Sequence, residues 1–372
     1  KTFKSGSMKK IFLFLVVGII LSGCGGGVVK VNNEINLGDH LKDNAPSFML
    51  NDVAEVISVI EVGNSDSLVL ERVFPVDEHD GMLLIKGGDV LLSVDMMSGT
   101  IRSVIGHKGK GPGEYLRISG AAYGKDGSVY VCDMNPKRIL KYHSDGSFAG
   151  NIQFDNAASI SVLPDGKLAV SLSPVGNEKT RLKIYDELTG QVRNSELRDR
   201  DVNTAMVYLN SLWGKDDYSY FKMPFSDTIY RVTSHEESPW LVLSSGNYTV
   251  PIDAYSSLDK LKSVSRECIS SISKVFNSKY MYLNYRLSDM WYFDMWSIEG
   301  CNLIGRNLLK HPGPGSHAGF DVDVNGKRTL AVPCYMSEKY LVCEFVNVED
   351  AKKIYPAVTE QSNPILLIMK FV

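Results

Sequence analysis

Short β-rich runs separated by Asp-Gly turns are the sequence feature that most restricts the fold of this chain. The clearest unit extends from Ser119 to Phe154 and contains two such turns, Asp126-Gly127 and Asp145-Gly146. Each Asp-Gly pair favours the positive φ angles that a tight hairpin requires, so the unit is predicted to be a four-stranded antiparallel meander. A meander of this form is one blade of a β-propeller.

Similar units recur at a period of about 40 to 50 residues, which is typical of propeller blades. We therefore predict an all-β fold, a six-bladed β-propeller of four-stranded antiparallel blades. The sixth blade is expected to borrow a strand from the N-terminus, because this closes the ring and leaves no open sheet edge. The predicted blades are Val69–Ile105, Ser119–Phe154, Ser159–Val192, Ala205–Leu243, Ile269–Ile304, and a split blade made of Gly319–Val324, Arg328–Cys334, Ile365–Phe371 and Val56–Val62.

Two segments interrupt the β pattern. Apolar residues recur at helical spacing over Leu258–Cys268, and Val348–Glu360 is polar with an apolar stripe. Both segments are predicted to be short helical insertions between strands.

The N-terminal residues have the pattern of an export signal. Lys9 and Lys10 precede the apolar stretch Ile11–Ile20, which is too short to span a bilayer. The stretch ends in Leu21-Ser22-Gly23-Cys24, which resembles the lipobox of bacterial lipoproteins, although a secretory signal with a chance cysteine is the alternative. Several acyl chains on Cys24 would anchor the protein to a membrane without a spanning helix.

Three regions follow from these patterns. Residues 1–24 are predicted to be upstream residues plus a lipoprotein signal peptide, and residues 55–372 the propeller. Residues 25–54 are expected to be a flexible tether, because they begin with Gly25-Gly26-Gly27 and are largely polar. We expect the protein in the cell envelope, lipid-anchored to the outer membrane, with its periplasmic or surface orientation left open.

Charge and motif content exclude several partners and cofactors. The net charge is −3, and no cluster of Lys and Arg alternates with aromatic residues, so nucleic acid is not expected as a partner. Asp321–Gly326 has the spacing that opens a calcium loop, but Val332 stands where the loop needs a bidentate Glu, and a hairpin is favoured. No metal and no cofactor are predicted.

Three motifs carry a family resemblance. The runs Ile105–Tyr115, Phe225–Arg231 and Ser362–Leu367 are similar to segments of the six-bladed β-propeller lipoproteins of Gram-negative anaerobes, which are relatives of NHL-repeat propellers. This resemblance implies the propeller fold and a position in the cell envelope. It implies no particular ligand.

The strongest candidate for a binding surface is an aromatic segment of the fifth blade. In a strand, Tyr280, Tyr282, Asn284 and Arg286 share one face. This face could stack a sugar ring or a peptide, with Arg286 and Asp294 donating and accepting hydrogen bonds and Trp296 nearby, but packing between blades is the favoured use of such aromatic residues.

The glycine-rich segment Gly106–Tyr115 is a second candidate. It lacks the Gly-Lys-Ser/Thr ending of a phosphate-binding loop, so a structural crossover between blades is favoured. Lys110 and Glu114 remain candidates for lining a ligand pocket.

Three functions are compatible with these observations. The favoured one is a non-catalytic module that binds a glycan, a peptide or an envelope protein through its rigid face and central channel. The second is an NHL-like enzyme, a lyase or hydrolase, with a site dispersed over several blades, although no hydrolase motif is present. The third is a purely structural envelope protein.

Overall fold

The computed structural model describes residues 31, 33–63, 68–133, 137–173, 179–198, 200–208, 210–214, 218–310 and 318–372. The predicted signal peptide and Cys24 lie outside the described residues. The described chain forms small antiparallel sheets arranged in a ring, which confirms the predicted six-bladed β-propeller.

The first three blades follow one another along the chain as four-stranded meanders, each numbered from the inner strand outward. The first blade contains β3 (Phe74–His79), β4 (Met82–Gly87), β5 (Val90–Asp95) and β6 (Ile101–Val104). The second contains β9 (Ile118–Tyr123), β10 (Val129–Asp133), β11 (Arg138–Tyr142) and β12 (Phe148–Gln153). The third contains β13 (Ala157–Val162), β14 (Leu168–Leu172), β15 (Leu182–Tyr185) and β16 (Val192–Asn194).

The next two blades repeat this arrangement. The fourth contains β17 (Ser211–Trp213), β18 (Ser219–Lys222), β19 (Thr228–Val232) and β20 (Glu237–Ser244), and the fifth contains β21 (Ser270–Phe276), β22 (Tyr280–Leu287), β23 (Met290–Ser297) and β24 (Asn302–Lys310).

The sixth blade joins the two ends of the described chain. Its outer strand β2 (Ala54–Glu61) pairs antiparallel with β28 (Ile365–Phe371), so the predicted closure by an N-terminal strand is confirmed. Between β28 and the channel lie β27 (Tyr340–Phe345) and the second half of β26 (Lys327–Met336).

The predicted membership of the sixth blade needs one correction. Strand β27 was not predicted, and the predicted strand over Gly319–Val324 corresponds to β25 (Phe320–Val324), which pairs with the first half of β26. The reason is the length of β26, whose ten residues pair with β25 before Ala331 and with β27 after it. The β25–β26 hairpin confirms the prediction of a hairpin at Asn325-Gly326.

The segment before β2 folds onto the propeller, and the tether predicted for residues 25–54 is wrong over its described part. Strand β1 (Glu34–Asn36) adds to β20 in parallel as a fifth strand of the fourth blade. Ile35, Leu37 and Leu50 are fully buried, and a 3₁₀ turn spans Leu50–Asp52. Burial of these apolar side chains stabilises a segment whose glycine-rich and polar composition predicted flexibility.

Short elements occupy the connections. The two predicted helical insertions are confirmed as α1 (Leu258–Val264) and α2 (Val348–Ile354). Further 3₁₀ turns lie at Gly246–Tyr248, Ile252–Ser256 and Glu299–Cys301, and the crossover from the first to the second blade contains the two-residue strands β7 (His107–Lys108) and β8 (Glu114–Tyr115).

The hydrophobic core lies between the blades. Strands such as β10 and β14 are buried at every residue, because both faces of each blade pack against neighbouring blades. In the sequence such strands are continuous apolar runs, whereas a strand with one solvated face alternates between apolar and polar residues. The inner strands also border the central channel.

Candidate functional site: the central channel and the faces of the fifth blade

The inner strands of all six blades surround a channel that contains a cavity of about 320 Å³. Most of the lining consists of small or apolar residues, with Trp213, Tyr220 and Tyr335 as the large polar aromatics. The lining segments are Pro75–Asp77, Ser119–Ala122, Ser159–Ser161, Leu212–Gly214, Val275–Asn277 and Cys334–Glu338, together with Tyr220. This volume suits a small molecule or one residue of a larger ligand.

Hydroxyl and amide groups around the cavity join neighbouring blades. The Ser119 hydroxyl lies 3.2 Å from the Ala157 carbonyl oxygen of the third blade. The Ser161 hydroxyl donates to the Gly214 carbonyl oxygen of the fourth blade at 2.6 Å, and the Asn277 amide donates to the Ser337 carbonyl oxygen of the sixth at 3.0 Å. These groups therefore connect the inner strands of neighbouring blades around the cavity.

The carboxylates at the cavity also accept hydrogen bonds from the protein. Asp77 accepts from the backbone N–H groups of Tyr123 and Glu78, at 2.7 and 2.9 Å. Glu338 accepts from the backbone N–H and the hydroxyl of Ser278, at 2.9 and 2.5 Å. Both carboxylates therefore have a structural role at the junction of two elements.

Lys274 differs from these groups because its ammonium has no hydrogen bond or ion pair with any described residue. Its Nζ lies 4.5 Å from the centre of the Trp213 ring, on the fourth blade, which is the geometry of a cation–π contact. Burial, with the neighbouring Lys222 ammonium as a second cause, lowers the pKa of Lys274 to about 7. Trp213 and Lys274 were not predicted as site residues. The sequence could have indicated them, because each is a large or charged residue in an inner strand whose other residues are mostly small or apolar.

The predicted aromatic platform of the fifth blade is largely buried. Tyr282 packs edge-on against Phe320 of the sixth blade and Trp296 is fully buried, so neither of these predicted residues presents an exposed ring. Tyr280 is half-buried and stacks on Phe371, with ring centres 5.5 Å apart. Packing between blades, the favoured interpretation, therefore describes these residues, because both faces of the blade have a neighbour.

Asp294, also predicted to contact a ligand, forms a buried network. Its carboxylate accepts two hydrogen bonds of 2.6 Å from the Arg306 guanidinium and one of 2.7 Å from the Tyr285 hydroxyl. Arg306 also donates to the carbonyl oxygens of His40 and Asp43, at 2.5 and 3.2 Å. Through Arg306, the network therefore binds the N-terminal segment to the fifth blade. Asp294 is fully buried, so none of its atoms is exposed to a ligand.

Arg286, the remaining predicted residue on this blade, lies on the opposite face and makes no hydrogen bond or ion pair with a described residue. Its Nε is buried without a hydrogen-bond partner, and the same is true of Asn284 Oδ1 and Ser270 Oγ. Arg286 lies directly across from Ser270 in the ladder, and Asn284 lies two residues before it on β22. The structure thus groups Arg286 with Asn284 and Ser270, and separates it from Asp294 and Trp296.

The glycine-rich loop forms the crossover between the first two blades, in agreement with the favoured interpretation of this segment. Glu114 folds back on the loop and accepts a 2.7 Å hydrogen bond from the Gly111 N–H, while Lys110 is exposed. The buried Asp133 accepts from the backbone N–H groups of Leu116 and Arg117 and holds the end of the loop. Neither Lys110 nor Glu114 lines the channel cavity.

The described residues contain neither a metal-binding cluster nor a membrane-spanning helix. Across the described ranges, no group of three or more His, Cys, Asp and Glu residues is arranged to hold a metal ion. No helix in the described part of the chain combines the length and the apolar character needed to cross a bilayer.

Residues 32–370 match the family described as a domain of unknown function, DUF4934. The chain belongs to the DUF4934 family. Among curated proteins, no match to this DUF4934 chain was found.

Solved structures share the fold of the DUF4934 chain. A proposed exported protein from Bacteroides fragilis NCTC 9343 superposes with a TM-score of 0.61 at 17% identity, over 88% of this chain and 98% of that one. A member of the DUF4221 family from Bacteroides vulgatus ATCC 8482 superposes with a TM-score of 0.54 at 11% identity, over 86% and 99%. At these identities the likeness shows a common propeller fold.

Proposed function

We propose that this protein is an exported lipoprotein of the cell envelope whose propeller binds a small anionic ligand in its central channel without transforming it. The observation that carries the proposal is the Lys274 ammonium, which lies over the ring of the cavity-lining Trp213 and has no anionic partner among the described residues. A buried cation without a counter-charge is costly, and an anionic ligand would remove that cost. The aromatic ring and the apolar lining suit a ligand whose anionic group is attached to an apolar body.

The polar groups of the channel support binding over catalysis. The Ser119 and Ser161 hydroxyls and the Asp77 and Glu338 carboxylates are engaged with the protein, so they are poorly placed to act as nucleophile, acid or base. One observation favours the alternative, an NHL-like lyase or hydrolase: with a pKa of about 7, Lys274 is partly a neutral amine at neutral pH.

Binding can be tested with benzoate and its uncharged counterpart benzyl alcohol, using tryptophan fluorescence of the full-length protein. We expect the wild type to bind benzoate at least about tenfold more tightly than benzyl alcohol, because only benzoate neutralises Lys274. Lys274→Met should abolish this preference. The control Lys279→Met, at an exposed position of the same blade, should retain it. No preference in the wild type, or an unchanged preference in Lys274→Met, would contradict the proposal.

The pH dependence of stability tests the state of Lys274 separately. Because its folded pKa of about 7 lies below the unfolded value, the unfolded chain binds more protons between about pH 7 and pH 10, and stability rises with pH across this window. Lys274→Met lacks this penalty, so it should melt above the wild type at pH 6.5, with a smaller advantage at pH 9.5. Thermal melts at both values decide the point; an equal difference at the two pH values would show that Lys274 has an ordinary pKa.

The lipobox resemblance supports anchoring, and the likeness to a proposed exported protein is consistent with export. In bacteria expressing the full chain and fed an alkyne-labelled fatty acid, we expect label on the wild type and on Cys301→Ser, but none on Cys24→Ser. The labelled protein should sediment with the outer membrane. An unlabelled wild type would refute the anchor and leave the ligand proposal standing.

A further inference from the structure

Three polar atoms on one face of the fifth blade are buried and unsatisfied. Of the seven such side-chain atoms in the described part of the chain, Ser270 Oγ, Asn284 Oδ1 and Arg286 Nε lie in neighbouring positions of the β21–β22 ladder. More than about nine in ten buried polar groups in proteins have a hydrogen-bond partner, so three unsatisfied atoms together indicate a missing partner.

The geometry of the ladder brings these side chains to one place. Ser270 and Arg286 are directly opposite each other, and Asn284 precedes Arg286 by two residues, so all three point to the face that packs toward the sixth blade. Trp291 is the partner of Arg286 on the next strand and shares this face. It is partly exposed, as is Arg286.

The patch lies near the end of the ring at which the inner strands begin, because Ser270 is the first residue of β21. The strand bulges between Ser270 and Ser273, and Ser271 has a φ of +57°. A bulge of this kind displaces the strand locally and commonly redirects side chains next to binding sites. The residues that follow it, Ile272 and Ser273, are exposed.

The chemistry of the four side chains defines the ligand. Arg286 supplies a guanidinium that can hold a carboxylate through two parallel hydrogen bonds. Asn284 Oδ1 can only accept, so the ligand must also carry a donor such as a hydroxyl, which Ser270 can either donate to or accept from. Trp291 adds an apolar ring face against which the carbon face of a sugar can stack.

We propose that Ser270, Asn284, Arg286 and Trp291 form a binding site for a sugar acid, a pyranose that carries a carboxylate and neighbouring hydroxyl groups. None of these four residues lines the channel cavity, so the site goes beyond the function proposed for Lys274.

The experiment compares glucuronate with glucose, which differ by the carboxylate, and adds a glutamate-containing tripeptide as an acidic ligand without a sugar ring. Calorimetric titration of the full-length wild type should show glucuronate binding at least about tenfold more tightly than either. Arg286→Met should reduce glucuronate binding at least about tenfold. The exposed Lys339→Met, which removes the same charge elsewhere, should not.

A second variant keeps the proposal open to refutation if Arg286→Met fails to fold. Asn284→Asp places a carboxylate beside Arg286, which should raise the melting temperature and abolish glucuronate binding, since the internal carboxylate occupies the guanidinium. Glucuronate binding no tighter than that of glucose or the tripeptide, or undiminished in Arg286→Met or Asn284→Asp, would overturn the proposal. Lys274→Met should leave glucuronate affinity unchanged, so failure at this site and failure at the channel are distinguishable.

Discussion

The two faces of the fifth blade carry one arginine each, and the two arginines are in opposite states. On the face toward the fourth blade, Arg306 makes hydrogen bonds to Asp294, to Tyr285 and to the N-terminal segment. On the face toward the sixth blade, the guanidinium of Arg286 has no hydrogen bond or ion pair with a described residue, and its Nε is buried. A buried charge whose partners are in place holds the fold together, whereas buried polar atoms without a partner indicate a place where something else binds.

The largest effect is expected where the satisfied network is broken. Asp294→Ala leaves the Arg306 guanidinium buried without its carboxylate, which should reduce the free energy of unfolding by about 3–5 kcal/mol. The measurement is urea denaturation. Asp321→Ala breaks the exposed pair with Arg328 and serves as the control, with an expected loss below about 1 kcal/mol. Similar losses in the two variants would show that the network contributes no more than a surface ion pair.

A somewhat smaller loss of stability is expected from a substitution in the N-terminal segment that Arg306 binds. Ile35→Ala removes a fully buried side chain from β1, and should cost about 2–4 kcal/mol in the same assay. The matched control is Ile252→Ala, at an exposed isoleucine, which should change little. A neutral Ile35→Ala would mean that residues 33–37 detach from the fourth blade in solution, as a flexible tether would.

The smallest effect within the network is expected from its hydroxyl group. Tyr285→Phe removes the donor to Asp294 and keeps the ring, which stacks on Tyr292 with ring centres 4.9 Å apart. Because the donor bonds a charged group, the loss should be about 1.5–3 kcal/mol. Tyr292→Phe is the control for the loss of a hydroxyl on this face. If Tyr285→Phe lost as much free energy of unfolding as Asp294→Ala, the Tyr285 hydroxyl, and not the ion pair, would account for the stability that the network contributes.

The second blade shows what the sequence reveals about this fold. Its strands were predicted to within a few residues, because Gly127 and Gly146 have the positive φ values, 78° and 86°, that Asp-Gly turns favour. The sixth blade was harder to predict, because β26 pairs with two different strands and no turn motif shows where one pairing ends. The docking of β1 was not predictable either, since its partner β20 lies about 200 residues away and the contact is parallel.

The candidate site could likewise be predicted only in part from the sequence. The two-residue period of a strand predicted that Asn284 and Arg286 share a face, and they do. The period alone does not predict that both faces of the blade are covered, and this covering buries Tyr282 and Trp296. Nor could it predict that Asp294 pairs with Arg306, because that pairing follows from the register of β23 with β24.

The most direct test of the contrast is one denaturation series on two variants with the same substitution on the same blade, Arg306→Met and Arg286→Met. Arg306→Met leaves Asp294 buried without its counter-charge, so we predict a loss of about 3–5 kcal/mol in the free energy of unfolding. Arg286→Met removes an unsatisfied group, and we predict no loss or a gain of up to about 1 kcal/mol. Equal losses in the two variants would contradict the account, because Arg286 would then be a structural residue like Arg306.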